Sequence, residues 1–124
     1  MPLSTFEQIV QELGPVDRLV LVGGEPFQHP ELGELVSLAR SCAARVEIFS
    51  NGLFLSGSSQ QAKKKLLDKF PNACSDWLSL VLSVDPEHAR RMKKDQLRTL
   101  ALNLLACQEA GFCRAMFSIT DTSL

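Results

Sequence analysis

Two kinds of apolar spacing alternate along the chain. Phe6, Ile9, Val10 and Leu13 recur at helical spacing in a segment that opens with Ser4-Thr5-Phe6-Glu7 and stops at Gly14-Pro15. Ser4 suits the capping position, with Glu7 reaching back to it, and the glycine–proline pair ends the helix. Arg18 to Val22 is instead a short β-branched run closed by Gly23-Gly24, the pattern of a buried strand and a tight turn. A second helix is expected from His29-Pro30, because proline fits the first helical position, with Leu32, Leu35, Val36 and Ala39 as its apolar stripe.

The alternation then repeats. A strand is predicted over Arg45 to Phe49, a turn at Asn51-Gly52, a loop through Ser56-Gly57-Ser58-Ser59, a helix from Gln60 to Phe70 and a strand from Trp77 to Val84. A last helix, capped by Asp95 and ended by Gly111, carries Leu97, Leu100, Leu104 and Leu105, and a strand over Phe112 to Ile119 follows. Helix and hydrophobic strand in turn predict an α/β fold whose βα units surround a parallel sheet of about four strands, joined by right-handed crossovers.

Ligands of parallel βα arrays sit at the carboxyl ends of the strands. Those ends read Gly23-Gly24-Glu25-Pro26, Ser50-Asn51-Gly52, Ser83-Val84-Asp85 and Ser118-Ile119-Thr120-Asp121, and all are polar. Strand alternation places Ser79, Val81, Ser83 and Asp85 on one face and Leu78, Leu80, Leu82 and Val84 on the other. Arg114, Met116, Ser118 and Thr120 likewise oppose Cys113, Ala115, Phe117 and Ile119. One face calls for helices, and the other tolerates water or a polar ligand. Paired glycines at a strand end let a ligand approach the backbone, and the carboxylate that follows can accept hydrogen bonds from an ammonium group. A charge-assisted bond of that kind contributes about 1.5–3 kcal/mol.

The run Leu21-Val22-Gly23-Gly24-Glu25-Pro26-Phe27-Gln28-His29-Pro30-Glu31-Leu32 resembles the second-strand motif of radical S-adenosylmethionine enzymes, GGEP followed by a short spacer and HP. Ile48-Phe49-Ser50-Asn51-Gly52 resembles that family's third strand and Leu82-Ser83-Val84-Asp85 its fourth, so the likeness covers most of the chain in order. It implies a single domain over residues 1–124, a partial (β/α) TIM-like barrel made of the family's second to fifth strands. It further implies S-adenosylmethionine as cofactor. Gly23, Gly24, Glu25 and Pro26 would form the half-site for the methionine ammonium, Ser83 would lie near the ribose or carboxylate, and Asn51 and Asp85 would share the lumen.

The family's [4Fe–4S] cluster rests on a C-x-x-x-C-x-x-C loop after its first strand, and this chain is expected to lack it. Cys42, Cys74, Cys107 and Cys113 are widely spaced, without a C-x-x-C pair. They fall at the amino end of the sheet, a strand length of about 17–20 Å from Glu25. Reduced, packed thiols are expected rather than a cluster or a zinc site. The resemblance thus implies a chain that is inactive alone in reductive cleavage of the cofactor. The competing readings are a degenerate, non-catalytic binding or assembly module and an unrelated α/β ligand domain. No G-x-G-x-x-G follows any strand, which weighs against the last of these.

Composition changes this picture little. A 45% hydrophobic, 22% charged chain of 124 residues suits one globular domain. The formal charge of −1, with its basic clusters at Lys63-Lys64-Lys65 and Arg90-Arg91-Met92-Lys93-Lys94, fits solvated helix faces and argues against a nucleic-acid partner. No apolar run approaches the roughly 20 residues of a membrane span, and the start lacks signal-peptide character, so a cytoplasmic protein is expected. His29 and His88, each near a helix start, are expected to cap or face solvent rather than bind. Bare outer strands of a partial barrel are expected to recruit a second copy or a missing barrel half.

Overall fold

A computed structural model of the protein describes residues 2–84 and 93–119. The chain runs α1 (Leu3–Leu13), β1 (Val16–Leu21), a 3₁₀ turn at Pro26–Gln28, α2 (Leu32–Cys42), β2 (Ala43–Ser50), a second 3₁₀ turn at Leu53–Leu55, α3 (Ser59–Lys69), β3 (Leu78–Val84), α4 (Lys94–Glu109) and β4 (Arg114–Ile119). The fold is α/β, as expected. All neighbouring strands are parallel and stand in sequence order, β1-β2-β3-β4, with Leu21 opposite Ile48, Ile48 opposite Leu80 and Leu80 opposite Ala115.

Sequence order has a geometric consequence. Right-handed crossovers that always step in the same direction put every connecting helix on the same side of the sheet. The core bears this out. Leu19, Leu21, Val46, Ile48, Leu78, Leu80, Leu82 and Ala115 pack with Leu32, Leu35, Val36, Ala39, Ala62, Leu66, Leu100 and Leu104 from the helices. Val20, Phe49, Val81 and Met116, one residue out of phase, take no part in that cluster. The predicted division into a helix-facing and an opposite face is therefore found for β3, while at β4 Cys113 and Ala115 join the core and Phe117, expected on the same side, is exposed. Each leucine buried on the helix side stabilises the fold by about 1.5–3 kcal/mol.

Three predicted starts shift. α1 begins at Leu3 after Pro2, and no side chain caps it, so Ser4 lies inside the helix. α2 begins at Leu32 rather than Pro30, because Pro26–Gln28 forms its own 3₁₀ turn and the backbone N–H of Glu31 donates to His29 Nδ1 at 3.0 Å. His29 thus serves the turn before α2, in keeping with a capping residue. α4 follows Lys93 without a side-chain cap, and Asp95 sits in its first turn. The strongest cap went unforeseen: Ser58 and Gln61 form a reciprocal box at the start of α3, Gln61 N–H to Ser58 Oγ and Ser58 N–H to Gln61 Oε1.

The stripe of α2 is buried in full, but Ile9 and Leu13 of α1 and Leu105 of α4 are exposed. β1, predicted as buried, is only partly covered, and Arg18 reaches across to Glu47 at 3.5 Å with its side chain 63% exposed. Among the described residues β1 and β4 are the outer strands, which leaves their far edges without a ladder partner and β1 correspondingly open. Lys64 and Lys65 are exposed, and Lys65 Nζ donates to the Ser56 carbonyl. Among the described residues no helix is long and apolar enough to cross a membrane.

Candidate functional site

A cavity of about 460 Å³ opens at the carboxyl ends of β1, β2 and β3, lined by Val22, Gly23, Gly24, Glu25, Phe49, Ser50, Asn51 and Ser83. Strand order explains the convergence: three neighbouring parallel strands end on one rim, and the residues following each turn over it. Gly23 and Gly24 hold φ of 94° and 54°, a region that residues with a Cβ rarely adopt, and neither would crowd a neighbour if one were added. Their role is conformational. They turn the chain sharply enough to bring Glu25 back toward the end of β2.

Glu25 is half-buried and engaged by its own chain. Ser50 Oγ donates to Glu25 Oε1 at 2.7 Å, the Phe27 N–H to the same oxygen at 3.3 Å, and the Asn51 N–H to Oε2 at 2.9 Å. The carboxylate therefore ties the loop after β1 to the end of β2. An aromatic contact reinforces the tie: Phe27 stacks on Phe54 of the second 3₁₀ turn, centroids 3.5 Å apart and planes 8° from parallel, and meets Phe70 edge-on at 6.0 Å. Such a pair contributes about 0.5–1.5 kcal/mol beyond its buried area.

Asn51 Oδ1 accepts the Leu53 N–H at 2.9 Å, capping the 3₁₀ turn. Its NH₂ group thus remains as the donor, on the same rim as the Ser83 hydroxyl. Among the described lining residues Glu25 is the one ionisable group, so the cavity pairs a single negative charge with neutral hydrogen-bonding groups.

Of the residues singled out in the sequence, Gly23, Gly24, Glu25, Asn51 and Ser83 come together here. Pro26 instead lines a neighbouring, mostly apolar cavity of about 370 Å³ between α1 and β1. Asp85, His88, Thr120 and residues 90–92 lie outside the described residues. Sequence reasoning passed over Val22, Phe49 and Ser50 as site residues. The one signal at Ser50 is a polar residue closing a hydrophobic strand, and the partner that makes it matter lies 25 positions away.

All four cysteines are free thiols, Cys107 and Cys113 fully buried and Cys42 and Cys74 partly so. Burial pushes the Cys107 thiol up against the opposing pull of the Lys63 ammonium, and pushes Cys113 from 9.0 to about 12, with Cys107 beside it adding to the rise. A raised folded pKa means that the stability held by the neutral Cys113 thiol is complete below pH 9.0 and lost as pH climbs toward 12. We expect the urea midpoint to fall over that window and to fall less in Cys113→Ala. A thiol reagent at pH 8 is expected to label Cys42 and Cys74 in the native chain, and Cys107 and Cys113 only on unfolding. Among the described residues no group of three or more His, Cys, Asp or Glu is placed to hold a metal ion.

The sequence matches no protein-family model and no curated protein.

Proposed function

We propose that the cavity receives the methionine end of S-adenosylmethionine, in a partial barrel of the radical S-adenosylmethionine type. The observation that carries the reading is the lone carboxylate of Glu25, set beside the Gly23-Gly24 backbone at the rim of parallel strands. A sheet with its connecting helices on one side supports the barrel part of the reading, since a doubly wound sheet would reverse its strand order and cover both faces.

The residues present fit the amino-acid part of that cofactor. Glu25 and the backbone carbonyls of the glycine turn are acceptors suited to an ammonium group, while Asn51 NH₂ and the Ser83 hydroxyl are donors suited to a carboxylate. When bound, the cofactor would supply a sulfonium whose reductive cleavage yields a carbon radical; this chain's part is to hold and orient the ligand. The described residues do not fit the cluster that would deliver the electron. Cys107 and Cys113 are buried in the helix-side core, Cys42 ends α2, and Cys74 precedes β3. No electron-transfer step is assigned to this chain, and 5′-deoxyadenosine formed by the chain alone after iron–sulfur reconstitution would overturn that assignment.

Calorimetric titration of the native chain with S-adenosylmethionine tests the reading. Saturable binding that is weaker for the analogue whose amine is replaced by hydrogen is the expected result. Absence of binding would sink it.

A second reading, a non-catalytic assembly module, is favoured by the outer strands. Val22 at the end of β1 and Met116 and Phe117 of β4 are exposed apolar residues next to edges that are unpaired among the described residues, the kind of surface that recruits another strand. It predicts concentration-dependent association in sedimentation; a monomer persisting at high concentration would count against it.

A further inference from the structure

We propose that Ser50 is the positioning residue of this cavity, fixing which oxygen of Glu25 faces a ligand ammonium. The inference rests on the reading that the cavity receives a primary amine.

Ser50 closes β2 on the helix side of its alternation, with Val46 and Ile48, and is 5% exposed, so water does not compete for its hydroxyl. That hydroxyl has two partners. It accepts the Gly52 N–H at 3.0 Å and donates to Glu25 Oε1 at 2.7 Å. The Gly52 amide can only donate, so it takes a lone pair of Ser50 Oγ and leaves the single hydroxyl proton directed to Glu25. Gly52 in turn is buried. At φ 83° it packs so closely that an added Cβ would fall 2.5 Å from Leu82 Cδ1. The orientation of the Ser50 hydroxyl is thus set by the packed backbone beneath it.

Counting acceptor sites shows what this does to the carboxylate. Each carboxylate oxygen accepts about two hydrogen bonds. Oε1 receives Ser50 Oγ and Phe27 N–H and is filled, whereas Oε2 receives the Asn51 N–H alone. Among the described residues this leaves one acceptor position, on Oε2, for a donor arriving from the cavity. Without the Ser50 hydroxyl, Oε1 regains a vacant position and the carboxylate, held only by the Phe27 and Asn51 amides, gains freedom about its terminal torsion, which is broad for glutamate. The ammonium would then meet an acceptor without a fixed direction. The charge stays, and the geometry is lost.

Threonine and valine separate the hydroxyl from the bulk it carries, because the two are isosteric. The measurement is the ratio of affinities for S-adenosylmethionine and for its analogue lacking the amine, in native protein, Ser50→Thr and Ser50→Val, with Ser50→Ala in reserve if valine prevents folding. Native protein and Ser50→Thr are expected to prefer the amine by roughly tenfold or more, in line with one charge-assisted hydrogen bond. Ser50→Val is expected to lower that ratio by roughly threefold or more while binding the analogue as native protein does. A purely structural role would weaken both ligands together, leaving the ratio unchanged, and that result overturns the proposal. A native chain with no preference for the amine overturns the cavity reading and this inference with it; a native preference retained by Ser50→Val overturns this inference alone.

Discussion

Replacing Glu25 with alanine is expected to remove S-adenosylmethionine binding and, in the absence of any ligand, to lower the unfolding free energy by about 2–3 kcal/mol. The two losses have one origin. The carboxylate that faces the cavity also accepts the Ser50 hydroxyl and the Phe27 and Asn51 amides, and truncation leaves all three donors without their partner. The cost stays below the sum of three charged hydrogen bonds because Glu25 is only half-buried, so water can reach some of the freed donors. Glu25→Gln sharpens the test. A carboxamide offers one acceptor oxygen and turns an NH₂ toward a second donor, so either Ser50 or Asn51 confronts a donor in place of an acceptor. Urea unfolding and calorimetry on the same preparations check both parts. Stability equal to native in Glu25→Ala would refute the tie between the β1 and β2 loops, and unchanged affinity would refute the ligand role.

That dual role bears on what the sequence alone could tell. The period of the apolar residues separated helices from strands, since Leu32, Leu35, Val36 and Ala39 can form one buried face only at helical spacing, and Leu78, Leu80 and Leu82 only at strand spacing. Strand ends were legible for the same reason, so Gly23, Gly24, Glu25, Asn51 and Ser83 were found before their convergence was seen. The starts of helices were less legible. Pro30 has the right chemistry for a first helical position, yet the preceding residues had already closed a 3₁₀ turn on Pro26, and the helix waited until Leu32. Ser4 and Asp95 are good caps that the backbone passed by, one inside α1 and the other in the first turn of α4.

The contacts that organise the site were illegible for a different reason. Ser50 meets Glu25 and Phe54 meets Phe27 across 25 and 27 positions of chain, and no local pattern encodes a pairing set by the neighbouring positions of β1 and β2. A serine at the end of a strand and a phenylalanine in a 3₁₀ turn give no hint of their partners until the strands are placed side by side. Local rules thus located the rim of the sheet, while its pairing determined which side chains on that rim act together.

Asn103→Ala is expected to be the most destabilising polar substitution outside the cavity, by about 3–4 kcal/mol. Asn103 lies on α4 between the buried Leu100 and Leu104 and is itself 3% exposed. Its NH₂ donates to the carbonyls of Leu55 at 2.6 Å and Gly57 at 2.9 Å, and its Oδ1 accepts the Ser59 hydroxyl at 2.9 Å. One side chain therefore satisfies two carbonyls of the segment that leads from β2 into α3 and the Ser59 hydroxyl at the start of α3. Alanine removes every partner at once and opens space beneath Leu55, which is 1% exposed. Asn103→Asp distinguishes the two halves of the interaction. It keeps the acceptor for Ser59 but sets a carboxylate oxygen against the carbonyls of Leu55 and Gly57, so it is expected to destabilise at least as much as alanine and to recover as pH falls and the acid regains a proton to donate. Urea unfolding of both variants at pH 7 and pH 4 reads this directly. The carbonyls of Leu55 and Gly57 hold the loop above the same rim that carries Asn51, so loss of Asn103 should also loosen the second 3₁₀ turn and the Phe27–Phe54 stack, visible as faster amide exchange at Leu55 and Ser56. Native-like stability in Asn103→Ala would mean that the segment between β2 and α3 is held by its other contacts, the Ser58–Gln61 cap, the Lys65–Ser56 and Asn51–Leu53 hydrogen bonds and the aromatic stack.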